Sequence, residues 1–307
     1  MKKCCIIADM KKILFVLFIL FNFAGQAFAA PHKIISLNPV GTEILFALGQ
    51  GNKVAGVTTY CDYPQEAKKK PKIGDYFNGT NIESLIANGI DLVVISDLQD
   101  SLIPRLKRLG INYAVIRQAN ITEVYNSIRV VGKLCNVQQK ADELVRGIQN
   151  NLNYIKRKTA KYPKTTAVIC VSRELSEPRI HSFYAAGDKT FYSELLEIAG
   201  GKNLVKSRST NYQRISAEGL LVLNPNVIFD IVGDKTSYHS NMGKIDPDKL
   251  FDKKNLKNQW ESSTCVTASK HGNIFILDGT LYLRPGLRMA EIALVFAKKL
   301  HPAAFTK

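Results

Sequence analysis

A chain of 307 residues is long enough for two domains, and 46% hydrophobic with 22% charged residues is the composition of an ordinary globular protein, not of a disordered or fibrous one. A formal charge of +16 raises nucleic acid as a partner. The lysines argue against it: they are scattered, with short runs at Lys68–Lys70 and Lys253-Lys254, and no zinc-finger spacing or aromatic RNA-binding signature accompanies them.

The first segment in chain order does not belong to the fold. Lys11-Lys12 precede an almost wholly apolar run, Ile13–Phe23, and Ala27-Phe28-Ala29 forms an A-x-A cleavage site. The run is short for a membrane span, so residues 1–29 read as a secretory signal peptide cut after Ala29. Met10-Lys11-Lys12 also resembles a signal-peptide start, which leaves Met1 and Met10 as alternative starts. Cys4 and Cys5 precede the apolar run, so neither follows it as a lipid-anchor cysteine. The mature protein is expected to be soluble and exported, to the periplasm in a double-membraned bacterium. Losing four Lys and one Asp with residues 1–29 lowers the surplus from +16 to +13. Export further disfavours nucleic acid and leaves a solvated surface, or one attracted to anionic lipid or an anionic ligand. Cysteines 61, 135, 170 and 265 remain. An oxidising compartment permits disulfides, all three full pairings stay open, and the spacing matches no metal site.

The mature chain opens with a predicted strand at Lys33–Leu37, a turn at Asn38-Pro39 and a helix over Thr42–Leu48. A strand at Val54–Val57 leads into an aromatic loop, Thr58–Pro64, and Lys72–Asn78 brings Tyr76 and Phe77. Helix Leu98–Leu109, strand Asn112–Ile116 and helix Ile121–Leu134 follow. Over Gln138–Lys161 the apolar residues Ala141, Leu144, Val145, Ile148, Leu152 and Ile155 keep to one helical stripe. Such a helix reaches about 35 Å, roughly a domain diameter, and reads as a rigid strut. Beyond it come strand Thr166–Val171, helix Thr190–Ala199 closed by Gly200-Gly201, strand Asn273–Leu277 and helix Leu287–Leu300. Cys170 reads as core, and the only tryptophan, Trp260, as peripheral.

One phrase is written twice, as NIESLIANGIDLVVI from Asn81 and SAEGLLVLNPNVIFD from Ser216. Asn81 and Ser216 are good N-caps. Apolar residues then recur at helical spacing until Gly89-Ile90 and Asn224-Pro225, and buried-strand runs follow at Leu92–Ile95 and Val227–Ile231. Glu83 and Glu218 occupy the second helical position, one short of the reciprocal capping-box place, so neither is committed to the backbone. Strands alternating with helices predict two Rossmann-like α/β lobes with mostly parallel sheets joined by a single long backbone helix. The boundaries are 30–136 for the N-terminal lobe, 137–162 for the helix and 163–307 for the C-terminal lobe.

The stretch KIISLNPVGTEILFALGQGNKVAGVTTYCDYP, with NIESLIANGIDLVVI after it, resembles the first lobe of the periplasmic binding proteins that serve ABC importers for cobalamin and ferric siderophores, most closely the cobalamin-binding members. The resemblance covers nearly the whole mature chain and is densest in the first lobe. It implies capture of cobalamin or a related corrinoid in an interlobe cleft, with a ferric siderophore or haem as the alternative cargo of the same importer class. It implies no enzymatic activity, no resident cofactor or metal, and a monomer that docks onto a dimeric ABC permease through Glu83 and Glu218, one per lobe.

The resemblance carries ligand contacts onto Tyr60, Tyr76, Tyr184, Tyr212 and the segment Thr280, Leu281, Tyr282 and Arg284. Tyr63 and Phe77 join them as aromatic residues expected in the same loops. Aromatic faces suit a large flat macrocycle, and Arg284 suits a carboxylate, amide oxygen or phosphate. His181 has no counterpart in that family and is a candidate contact to iron or cobalt, although a lone histidine is more often structural. Two other classes are disfavoured. A two-lobed metal-ion binder needs several His, Asp or Glu ligands from both lobes, and His32, at the chain start, is the only histidine of the mature first lobe. An enzyme has no G-x-S-x-G or Cys/His arrangement to work with, and GQGNKVAG precedes its strand instead of following it.

Overall fold

The computed structural model describes residues 30–74, 89–233 and 251–306. Strand β1 (Ile34–Ser36) runs into helix α1 (Pro39–Ala47). Asn38 starts that helix: its side chain accepts from Gly41 N–H at 2.8 Å, and Pro39 sits at the first helical position, where no donor is needed. Helix α1 therefore begins earlier than the sequence pattern predicts. Next come β2 (Val54–Val57), the short α2 (Gln65–Lys68), β3 (Leu92–Ser96), α3 (Ile103–Arg108), β4 (Asn112–Ile116) and α4 (Ile121–Leu134). The helix expected over Leu98–Leu109 is split. A 3₁₀ turn, Asp97–Leu102, bends at Gln99 before α3 starts, and Pro104 lies in the first turn of α3, where its missing N–H costs nothing.

These strands form a four-stranded sheet in the order β2-β1-β3-β4, parallel throughout, with Ile34 paired to both Val54 and Leu92. Helix α5 (Gln138–Thr159) then carries the chain away from this sheet. Its buried residues are Ala141, Val145, Ile148, Leu152, Ile155 and Thr159, one stripe at helical spacing.

The second half contains β5 (Thr165–Arg173), β6 (Ser182–Ala186), α6 (Phe191–Ile198), β7 (Gly201–Asn203), β8 (Tyr212–Ser216), α7 (Ala217–Leu223), β9 (Val227–Gly233), α8 (Lys253–Ser263), α9 (Thr267–Lys270), β10 (Ile274–Asp278) and α10 (Met289–Leu300). The sheet order is β10-β9-β5-β6-β8, with β7 on β5. Strands β10, β9, β5 and β7 pair in parallel, whereas β6 runs antiparallel to both of its neighbours, β5 and β8. The antiparallel pair was not legible in the sequence, because SFYAA and YQRIS are too short to show a period. It moves Tyr184 and Tyr212 from predicted loops into strands.

One apolar cluster runs from Ile34, Ile44 and Val94, through Val145, Leu152 and Ile155 of α5, to Leu195, Phe229 and Phe296. The strut is thus glued along its length to both halves, and each buried aliphatic side chain contributes about 1.5–3 kcal/mol. The outer face of the second sheet has its own core, in which Trp260 is fully buried against Phe183. This corrects the peripheral expectation for Trp260. Helix α8 was not predicted, and it turns the indole inward, where Nε1 donates to Asp230 Oδ2 at 2.8 Å. Cys170 is fully buried, as its apolar strand implied.

Candidate functional site: an aromatic cleft between the lobes

The first wall of the cleft is the loop that leaves β2 at its C-terminal end. Cys61 anchors it from beneath. Thr42 Oγ1 donates to Cys61 Sγ at 3.1 Å, Thr58 Oγ1 lies 3.2 Å from the same sulfur, and Lys72 Nζ donates to Cys61 O at 3.0 Å. With Cys61 turned inward, its neighbours Tyr60, Asp62 and Tyr63 project outward, and the two tyrosines are 36% and 44% exposed.

The second wall comes from two places. In β6 and β8, Ala186 pairs with Tyr212 and Tyr184 with Arg214, so Tyr184 and Tyr212 stand diagonally on one face. The alternate residues Phe183 and Ile215 face the core. The segment Thr280–Arg284 follows β10, turned by Gly233 (φ 74°) and Gly279 (φ 112°), positions that a β-carbon would strain. Gly279 N–H donates to Gly233 O at 2.6 Å. Tyr192, buried in α6, donates through its hydroxyl to Tyr282 O at 2.7 Å and fixes this segment from behind. Burial pushes the Tyr192 phenol far above its usual range, and the nearby Tyr212 adds to the shift. The buried Tyr192 thus links the Tyr282 segment to the neighbourhood of Tyr212, whose strand face also carries Tyr184.

The two walls meet. Arg284 Nη2 donates to Tyr60 O at 2.7 Å and Nη1 donates to Asp62. Four residues on, Arg288 donates to Glu43 of α1 at 3.1 and 3.3 Å and lies 4.0 Å above the Tyr63 ring. Burial raises the Glu43 carboxyl above its ordinary range, against the opposing pull of Arg288. Behind this junction Glu43, Phe46, Tyr63, Pro64, Leu144 and Arg288 border a cavity of about 450 Å³.

The structure thus joins the Tyr60–Tyr63 loop to the segment of Thr280, Leu281, Tyr282 and Arg284 through Arg284 and Arg288, and places Tyr192, which holds that segment, near Tyr212, with Tyr184 on the strand face of Tyr212. His181 is elsewhere. It precedes β6 at the far end from Ala186, its carbonyl accepts from Ala217 N–H at 3.0 Å, and its charge bears on Glu218. The antiparallel strands place His181 beside α7, at the end of the pair away from Tyr212. Glu218 stands exposed at the second position of α7, where Ser216 caps Gly219 N–H at 3.1 Å. Hydrogen bonds from its own backbone N–H and from Ser216 hold its carboxyl below the usual range. Tyr76, Phe77 and Glu83 lie outside the described residues. Asp62, Glu43, Arg288 and Tyr192 were missed. Glu43, an acid inside an otherwise apolar helix, carried the one signal that could have been read. Among the described residues no group of three His, Cys, Asp or Glu side chains is placed to hold a metal ion.

The sequence profile of the periplasmic binding protein family matches residues 34–281. The chain belongs to the periplasmic binding protein family. Among its relatives, the uncharacterised ABC transporter substrate-binding lipoprotein YvrC of Bacillus subtilis is 31% identical over 280 residues, covering 90% of this chain and 82% of that one. A vitamin B12-binding protein of Vibrio parahaemolyticus is 28% identical over 222 residues, covering 72% and 78%. A solved structure of a possible iron-binding, periplasmic solute-binding protein from Staphylococcus epidermidis superposes with a TM-score of 0.67 at 27% identity, covering 89% of this chain and all of that one. Family membership makes this an extracytoplasmic solute-binding component of an ABC transporter, with a small-molecule ligand and a permease partner, and not an enzyme.

Proposed function

We propose that this protein captures cobalamin or a related corrinoid between the Tyr60 wall and the Tyr184–Tyr212–Tyr282 wall, and delivers it to an ABC importer. The observation that carries this reading is an aromatic cleft whose junction arginines are already paired. Arg284, the cation of the ligand segment, is matched by Asp62, and Arg288 by Glu43. Beside that junction stand tyrosine rings with hydroxyls that can meet amide groups, and on the face of Tyr184 and Tyr212 also Arg214, which donates to Ser182 Oγ at 3.1 Å. Aromatic faces of this kind favour a broad, largely uncharged macrocycle, whose burial they stabilise, and the two junction arginines are already held by carboxylates. The vitamin B12-binding relative supports the same choice. A second reading, an iron-bearing ligand, is supported by the Staphylococcus epidermidis neighbour.

Glu218, exposed and ionised on the rim of α7, is the docking group toward the permease in this reading, with Glu83 as its counterpart in the other copy of the repeated phrase. Calorimetry of the purified protein against cyanocobalamin, cobinamide, haemin and a panel of ferric siderophores tests the ligand. Tightest binding to a corrinoid is expected, and preference for haemin or a siderophore by more than about tenfold, roughly 1.4 kcal/mol, overturns it. Glu218→Ala is expected to impair uptake in cells while leaving ligand affinity intact, and an equal loss of affinity would assign Glu218 to the pocket.

A further inference from the structure

Four charged side chains lie where the two lobes meet. Arg284 and Arg288 come from the segment that enters α10, Asp62 from the loop after β2, and Glu43 from α1. Their side chains are 12%, 17%, 29% and 3% exposed, so all four are at least partly desolvated. Arg284 spans the junction most fully. It holds Asp62 with one amino group and the Tyr60 carbonyl with the other, and Glu43 lies 3.9 Å away.

A guanidinium that anchors a ligand's anion needs donors directed into the gap. Here two of them are taken by acceptors of the opposite wall. Asp62 is two residues from Tyr60, and Arg284 two residues from Tyr282. The contact that joins the lobes therefore also sets where an aromatic ring stands on each side. Removing one member strands a poorly exposed partner, which costs more than the pair contributes.

We propose that Arg284 is an interlobe positioning residue: by holding Asp62 and the Tyr60 carbonyl it sets the separation of the two aromatic walls, and hence the size of ligand the cleft admits. This rests on the ligand reading above only for the choice of ligand. Arg288 and Glu43 back the same junction from the side of the 450 Å³ cavity.

The test compares the wild-type chain with Arg284→Met, Asp62→Asn and the double variant, by amide hydrogen exchange and by calorimetry with cyanocobalamin and with haemin, a dicarboxylate. Arg284→Met is expected to speed exchange in the 58–64 loop of the opposite lobe. Asp62→Asn should do the same, and the double variant should add little. Both single variants should weaken cyanocobalamin binding by about tenfold. If Arg284 were instead an anion anchor restrained by Asp62, Asp62→Asn would tighten haemin binding while Arg284→Met weakened it, and such opposite signs overturn the proposal. Unchanged exchange in the 58–64 loop of Arg284→Met overturns it as well, whether or not any ligand binds. Arg284→Lys, which keeps the charge but reaches one acceptor at a time, is expected to fall between wild type and Met in exchange, and provides the comparison if the Met variant does not fold. Failure of every corrinoid to bind the wild type would overturn the ligand reading and leave exchange to decide the role of Arg284.

Discussion

Glu194 Oε2, in α6 of the second lobe, accepts from the backbone N–H of Ile121, the first residue of α4 in the other lobe, at 2.7 Å. Asn120 caps the same helix locally by accepting from Glu123 N–H at 2.9 Å. Phe191 N–H donates to Ala119 O at 3.0 Å beside them. A carboxylate from one lobe thus occupies the positive end of a helix in the other, where it favours both the hydrogen bond and the helix dipole. Glu194→Ala is expected to destabilise the protein by about 1.5–3 kcal/mol, and Glu194→Gln by less, since its amide oxygen still accepts. Urea denaturation measures both. A loss below about 0.5 kcal/mol for the alanine variant, the level of ordinary surface changes, would show that this contact does not bind the lobes together.

The diagonal pair Tyr184 and Tyr212 makes an unequal prediction. Tyr212 is backed by the buried Tyr192, whereas Tyr184 is the more exposed at 49%. Tyr212→Ala is therefore expected to weaken corrinoid binding by about 1–3 kcal/mol, with Tyr184→Ala costing less. Titration calorimetry decides, and no change at Tyr212 would remove it from the site.

Trp260 offers a stability probe remote from the cleft. Its Nε1 donates to Asp230 Oδ2, which also accepts from Arg173 Nε at 2.9 Å, and both of those side chains are 1% exposed. Trp260→Phe removes one donor from a buried carboxylate and leaves a small void. It is expected to cost about 2–4 kcal/mol in chemical denaturation. Because this is the only tryptophan, wild-type fluorescence should shift to longer wavelength as the core opens.

Asp188 predicts an acid limb. Hydrogen bonds from Ser207 N–H at 2.8 Å and Lys206 Nζ at 3.0 Å lower its carboxyl to about 2, from 3.8. Between those values the unfolded chain binds more protons than the folded one, so the stabilisation is complete above pH 3.8 and is lost as pH falls toward 2. Asp188→Asn should melt lower than wild type at pH 6, with the gap closing on acidification. A gap that stays constant down to pH 2 would show that Asp188 does not contribute in this way.

The cysteines should differ sharply in reactivity. Burial raises the Cys135 thiol to about 11 and Cys170 well above its ordinary value, and Cys61 is also buried, whereas Cys265 is exposed. No two of these four are joined. A maleimide at neutral pH should modify Cys265 rapidly in the native protein and the other three after denaturation. Rapid native labelling at a second of these positions would contradict this packing.

Local physics along the chain accounts for much of this fold. The strand runs at Val54–Val57, Leu92–Ile95 and Val227–Ile231, the Ser216 cap and the stripe of α5 follow from side-chain period and capping chemistry, and the structure contains all of them. Local order along the chain also placed Tyr60 and Tyr282 near strand ends. It did not reveal β6 and β8, whose identity as strands depends on pairing with β5 and with each other. It also left Trp260 outside the core, because helix α8, which turns the indole inward onto Asp230, was not legible. The use made of Arg284 depends on contacts distant in the chain. A guanidinium reads the same in sequence whether it faces a ligand or Asp62, and that choice depends on which acceptor the fold brings within hydrogen-bond reach across 222 residues of chain.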